Sequence, residues 1–223
     1  MASLLVVIVI PVFNEAKVIG SVIEEVRGHG NYTTIIVDDG SSDDSYIQAS
    51  VHGDLALRHK INRGKGAAVK TGIMAANLLQ ADIVVTLDGD GQHDPADIEK
   101  LIVPLVKGEA DVVLGSRMLN REEMPWPKVI ANFIGNILTF LFYGLFVTDS
   151  QSGFRAYSKY AALIIDTKAD KYEYDSKVIR EIKFNRLRFS EIPVHTRYTE
   201  YSKGKKQKQG LVNGIITLGR MLW

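Results

Sequence analysis

Short aliphatic, β-branched runs punctuate the first half of the chain: LLVVIVI (4–10), TTIIVD (33–38), DLALRH (54–59), DIVVTLD (82–88) and DVVLGS (111–116). Such runs are too short for buried helices and lack the apolar/polar alternation of half-exposed strands, which predicts strands buried on both faces. Between them EAKVIGSVIEEVRG (15–28), GAAVKTGIMAANLL (66–79) and PADIEKLIVPLVKG (95–108) repeat apolar residues at helical spacing, the first and last closing on a glycine. This alternation predicts an α/β domain with a mostly parallel central sheet and helices on both faces.

The second half carries a different pattern. VIANFIGNILTFLFYGLFVT (129–148) holds no charged residue, and its Asn132, Asn136, Thr139 and Tyr143 recur at i, i+4, i+7 and i+11. One polar stripe on an otherwise apolar helix fits a helix lying on a membrane surface; a core helix and a true span are the competing readings.

In open α/β sheets ligands sit at the carboxyl ends of the strands. The segment after each strand here is polar and often glycine-rich: PVFNE (11–15), DDGSSDDS (38–45), NRGKG (62–66), DGDGQHD (88–94) and GSR (115–117). Asp88, Asp90 and Asp94 crowd one strand end, where carboxylates repel unless a positive charge sits between them. A calcium loop fits in part, with Asp88, Asp90, Gln92 and Glu99 at its ligand positions, but His93 stands where the turn needs glycine. Capping of the helix that starts near Pro95 accounts for Asp94; it does not account for Asp88 and Asp90. Hard oxygen ligands point to Mg²⁺ or Mn²⁺, ions that take one or two protein carboxylates while holding phosphate oxygens. NRGKGAA lacks both the P-loop and the dinucleotide spacing, so alone it is a weak phosphate cradle. Asp38 and Asp39 either accept hydrogen bonds from a ribose or base, or serve as turn residues.

With 223 residues and 46% hydrophobic content, the chain is read as one domain, residues 1–117 forming a nucleotide- and metal-binding part and 118–223 an acceptor-binding, membrane-proximal part. No cysteine is present, which excludes disulfides, thiolate metal sites and cysteine nucleophiles. The formal net charge of +1 hides a split: residues 1–100 hold 8 Lys+Arg against 14 Asp+Glu, residues 174–223 hold 11 against 4. An acidic front half suits a metal site, and a basic end suits phosphate or an anionic surface. The apolar N-terminus lacks a basic region and a cleavage site, and Pro11 breaks it, so it reads as a buried strand and not a signal peptide.

PVFNE, DDGSSD, NRGKGAA, DGDGQHDP, GSR and DSQSGFRAYS, in this order and spacing, resemble family 2 glycosyltransferases of the GT-A fold, and among them the transferases that use dolichyl or other polyprenyl phosphates. The likeness covers residues 4–158, and YTEYSKGKKQKQG (198–210) resembles the basic tail loop of some members. The resemblance implies an inverting transferase with a nucleotide-diphospho-sugar donor, a polyprenyl-phosphate acceptor and Mg²⁺ or Mn²⁺. It implies that Asp38 and Asp39 hold the nucleoside in a pocket shaped by Pro11, Asn14 and Glu15, with Lys65 at the donor. Asp88, Asp90 and Gln92 would bind the metal. Arg117 would lie near the phosphates or acceptor, and Asp149 and Arg155 would face the reacting centre, Asp149 as base or as orienting group. Arg197, Ser202, Lys203, Lys205 and Lys206 would meet the acceptor phosphate or anionic headgroups. A peripheral place on the cytoplasmic face of a membrane is expected, or an anchor outside this chain, since the family often continues into transmembrane helices and this sequence stops at GIITLGRMLW (214–223). No nucleic-acid partner is expected, and a homo-oligomer is left open. Transfer to a sugar hydroxyl and a sugar-nucleotide or membrane-binding protein without turnover remain the alternatives; hydrolysis by paired carboxylates needs neither metal nor nucleotide.

Overall fold

The structure is a computed structural model that describes residues 4–120, 124–171 and 173–197. Ser202, Lys203, Lys205 and Lys206 lie outside the described residues. Seven strands form one sheet in the order β3-β2-β1-β4-β6-β5-β7. β1 (Val6–Val12), β2 (Thr33–Asp38), β3 (Leu55–Arg58) and β4 (Ile83–Thr86) run parallel. β5 (Val112–Ser116) and β7 (Phe189–Pro193) pair in parallel, and β6 (Arg155–Ser158) lies antiparallel between β4 and β5. Reversing β6 puts its first residue, Arg155, opposite Thr86 and Leu114, so the 148–154 loop opens onto the same edge as the ends of β4 and β5.

Two apolar cores flank the sheet, as strands buried on both faces require. One packs Ile8, Ile10, Ile36 and Val85 against α1 (Ile19–Gly28), α2 (Ser45–His52) and α4 (Ile98–Val106). The other packs Val7, Val9, Ile35 and Val84 against α3 (Lys65–Leu78), α6 (Lys159–Ile164) and α7 (Glu173–Phe184). β3 departs from the expectation of burial on both faces: it is an edge strand with half-buried Leu55, Ala56 and Leu57. α1 starts at Ile19 and not at residue 15, because Asn14 adopts φ 55° and the residues after it knit two loops together. The hydrophobic pattern predicts neither α2 nor, after β5, any element other than the long apolar helix.

That helix, α5 (Trp126–Tyr143), ends where Gly144 takes the left-handed conformation that caps helices. Its polar stripe faces the protein: Asn132, Asn136 and Thr139 are buried. Its apolar side faces out, with Trp126, Ile130, Phe133, Ile134, Ile137 and Leu141 all exposed. This inverts the usual amphipathic arrangement of a surface helix. Among the described residues no helix is long and apolar enough to cross a membrane.

Candidate active site

On the first three strands, the loops at the carboxyl edge hold one another through main-chain groups. Asn14 N–H donates to Ser41 Oγ at 2.9 Å, Ser42 N–H donates to Asn14 Oδ1 at 2.9 Å, and Glu15 N–H donates to Ser45 Oγ at 2.7 Å. Buried Asp39 accepts from the N–H groups of Arg63 (3.0 Å) and Gly64 (2.7 Å) and sits 2.7 Å from His59 Nδ1, whose Nε2 is 2.9 Å from Thr71 Oγ1. It thereby pins the glycine-rich loop that launches α3. Glycine is required at two points of this arrangement: a Cβ on Gly40, at φ 73°, would lie 2.7 Å from Ile61 C, and one on Gly64, at φ 112°, would lie 2.4 Å from Asp170 O. Asp38 Oδ1 accepts from Ser41 N–H at 3.2 Å, while Arg58 Nε lies 3.0 Å from Oδ2 as an ion pair without hydrogen-bond alignment. Pro11 is buried in β1 and registers with Val37.

Beyond β4 the chain turns into the acidic loop. Lys65 Nζ lies 2.9 Å from Asp88 Oδ1 and 3.1 Å from Asp175 Oδ2 on α7. Burial opposes ionisation of Asp88, but the Lys65 ammonium and then His93, 3.4 Å away, outweigh it and hold the carboxyl far below the usual range. Burial likewise opposes the charge on Lys65, and Asp175 with Asp88 raises its pKa well above an ordinary lysine. Asp90 closes a tight turn, accepting from Gln92 N–H at 3.1 Å and Gln92 Nε2 at 2.8 Å. Asp94 caps the 3-10 turn Pro95–Asp97 by accepting from Ala96 N–H at 3.0 Å, in keeping with the capping reading. Arg197 crosses beneath this loop. Its N–H donates to Gln92 O at 2.8 Å, and its guanidinium is committed to Glu25 (2.6 Å) and Asp94 (2.8 Å).

Arg117, in the turn after β5, grips Asp149 with two guanidinium bonds, Nε to Oδ2 at 2.7 Å and Nη2 to Oδ1 at 2.9 Å, and its own N–H adds a third at 3.1 Å. Asp149 is 1% exposed. Arg155 is also buried and is set behind this pair: its Nη2 donates to Ser150 O at 2.9 Å and Asp175 O at 2.8 Å. Lys128, on the first turn of α5, lies in the fields of both Arg117 and Asp90; partial desolvation and the Arg117 charge lower its pKa.

The edge therefore brings together Asp88, Asp90, Gln92, Lys65, Arg117 and Asp149. Sequence reasoning misses Asp175 and Lys128, single charged residues in segments without a motif. It misses His59 because the role of that ring depends on the contact with Asp39 across the loop. Among the described residues no group of three or more His, Cys, Asp or Glu side chains is arranged to hold a metal unaided. Carboxylates such as Asp88 and Asp90 have the chemistry for a divalent ion that takes its other ligands from a diphosphate and water; in this structure Asp88 pairs with the Lys65 ammonium.

Residues 7–163 match the family described as Glycosyl transferase family 2. An uncharacterised protein of Methanocaldococcus jannaschii is 43% identical over 203 residues, 89% of this chain and 84% of its own. A UDP-N-acetylglucosamine--dolichyl-phosphate N-acetylglucosaminyltransferase of Methanococcus voltae is 39% identical over 227 residues, 92% of this chain and 90% of that protein. Glucosyl-3-phosphoglycerate synthase of Mycobacterium tuberculosis, solved with Mn²⁺, UDP-glucose and phosphoglyceric acid, shares the fold at TM-score 0.68 and 21% identity over 97% of this chain and 80% of that one. On sequence and fold together, the chain belongs to glycosyl transferase family 2.

Proposed function

We propose that this chain transfers a sugar, N-acetylglucosamine first among candidates, from a UDP donor to a polyprenyl phosphate with inversion at the anomeric carbon. The observation that carries the reading is the distribution of charge along one sheet edge. Asp88 and Asp90 lie on one side, Arg117 and Lys128 on the other, and the apolar face of α5 begins at the turn that bears Lys128. Carboxylates at that edge suit a metal-bound diphosphate, neighbouring cations suit an acceptor phosphate, and an apolar face beside them suits a prenyl chain and the bilayer it sits in. The likeness to the Methanococcus voltae transferase supports both substrate classes.

Asp88 and Asp90 would hold Mg²⁺ or Mn²⁺, with Gln92 beside them; such an ion neutralises charge on the departing diphosphate. Pro11, Asn14, Glu15, Asp38 and Asp39 frame the nucleoside, and Lys65 keeps Asp88 ionised and oriented. Arg117, aimed by Asp149, and Lys128 draw in the acceptor phosphate. A phosphate monoester has its second pKa near ~6 and is mostly dianionic at neutral pH, so its oxygen attacks without a general base. Both Asp149 oxygens are engaged by Arg117, which fits orientation and not proton abstraction. Ser202, Lys203, Lys205 and Lys206 follow in the sequence after Arg197, and in this reading they meet the acceptor phosphate or anionic headgroups.

The deciding experiment incubates the protein with a panel of nucleotide sugars, Mg²⁺ or Mn²⁺, and a polyprenyl phosphate, and analyses the lipid extract. A glycosylated lipid phosphate formed from one donor is the expected product. A consistent preference for a neutral sugar alcohol over every polyprenyl phosphate overturns the acceptor assignment.

A further inference from the structure

The inward side of α5 does more than fill space. Asn136 Oδ1 accepts from Ser150 N–H and Ser150 Oγ, each at 2.9 Å, and its Nδ2 donates to Thr148 O. One side-chain amide thus pairs with the main chain on both sides of Asp149, as a neighbouring strand would. Further contacts fix the two residues that flank Asp149. Glu191 of β7 accepts from Thr148 N–H and Oγ1, both at 2.7 Å, and Thr139 Oγ1 donates to Ser150 Oγ at 3.1 Å. The Gln151 side chain also lies against the helix at Gly135, where a Cβ would sit 2.0 Å from its Nε2. Asp149, framed in this way, has its carboxylate on Arg117.

We infer that Asn136 is a positioning residue for transfer: it fixes where Asp149 holds Arg117, and so ties acceptor engagement to the seating of α5. The inference rests on the acceptor reading above for its effect on transfer, but not for its effect on Arg117. The position calls for a donor and an acceptor on one short side chain. Aspartate keeps the bonds from Ser150 and sets a carboxylate against the Thr148 carbonyl; leucine of similar size keeps none. Phe133, Ile137 and Phe140, exposed on the same stretch of α5, place the outer face one side chain away from this clamp.

The test uses the full chain and three readouts on Asn136→Leu and Asn136→Asp. They are UDP-N-acetylglucosamine binding by calorimetry with Mn²⁺, transfer to undecaprenyl phosphate, and solvent exchange of the Arg117 Nε–H resonance, identified by its loss in Arg117→Lys. Donor Kd is expected to stay within about twofold, while acceptor kcat/KM falls ~10-fold or more for leucine and less for aspartate. Exchange at Arg117 Nε–H should accelerate in the same order. Donor affinity falling in step with transfer, or unchanged Arg117 exchange, overturns the inference. If Asn136→Leu fails to fold, the aspartate variant, which loses only the Thr148 bond, decides by the same two criteria. If the wild type modifies no polyprenyl phosphate, the acceptor reading fails, and the Arg117 exchange rate still decides the role of Asn136.

Discussion

Asp39 and Asp90 on one part of the sheet edge and Asp149 on another are immobilised by different means. Asp39 is pinned largely by main-chain N–H groups of the glycine-rich loop, and Asp90 by the main chain and side chain of Gln92, two residues on. Asp149 is pinned by the Arg117 guanidinium, and the chain around it by Asn136 of α5 and Glu191 of β7. A main-chain donor survives almost any substitution of its residue. A side-chain donor does not, so Asp149 should be fragile at its partners and Asp39 chiefly at its own carboxylate.

The largest expected effects lie at Asp88 and Asp90. Asp88→Asn or Asp90→Asn should lower transfer by roughly 10²-fold or more, as loss of one preorganised electrostatic group does, while the protein stays folded. Steady-state rates with and without a chelator check this; full activity in either variant, or in excess chelator, removes the metal from the reaction.

Arg63 and Arg117 sharpen the contrast next. Arg63→Ala keeps the N–H that Asp39 uses, so donor affinity should change by no more than about threefold, the scale of an exposed side chain. Arg117→Met leaves the buried Asp149 carboxylate without its charged partner and should cost about 3 kcal/mol in denaturant unfolding, besides raising the acceptor KM. Asp149→Asn should retain measurable transfer, with activity rising near pH ~6 in variant and wild type alike, because the ionising group belongs to the acceptor. A profile set instead by a group lost in the variant would make Asp149 the base.

How much is legible in the sequence follows from where the polar residues cluster. PVFNE, DDGSSD and DGDGQHDP gather theirs at strand ends, so local composition betrays them even where the partners lie 20 to 30 positions away in another loop. Asp175 meets Lys65 across 110 positions and Glu191 meets Thr148 across 43, from α7 and β7, elements whose mixed polar composition carries no motif. The stripe Asn132, Asn136, Thr139 is visible as a helical repeat, yet periodicity shows only that a face is distinct, not that it points inward. The antiparallel insertion of β6 is hidden for a related reason: its short run RAYS has no strand signature, and its place is fixed by β4 and β5 on either side.

The outward face of α5 offers a smaller, separable effect. Phe133→Asp with Ile137→Asp sets two charges on an exposed apolar surface without touching the Asn136 clamp. Partitioning onto anionic vesicles should fall by ~10-fold or more, with thermal stability nearly unchanged, since exposed positions contribute little to folding. Equal partitioning would place the membrane contact elsewhere.

The smallest effect concerns pH and distinguishes an ion pair from a neutral contact at Asp88. A carboxyl whose pKa is lower in the folded than in the unfolded chain stabilises the fold above the unfolded value, about 3.9, and that contribution is lost as pH falls below it. Lys65 runs the other way: its pKa is raised on folding, so its contribution is complete below the unfolded value near ~10.4 and disappears at higher pH. Between those limits both charges of the pair are present and their joint contribution should be flat. Unfolding free energy measured from pH 8 to 3 should therefore decline only at the acid end, by at most ~1.4 kcal/mol per pH unit from this one group. Other carboxylates held low, Asp97 among them, add to the same decline, so Asp88 is isolated by difference. Asp88→Asn should give a shallower acid slope than wild type, so that the two curves draw together as pH falls below the unfolded carboxyl value, although folded Asp88 stays ionised there. Parallel curves across the whole range would mean that Lys65 draws its stabilisation from Asp175 alone.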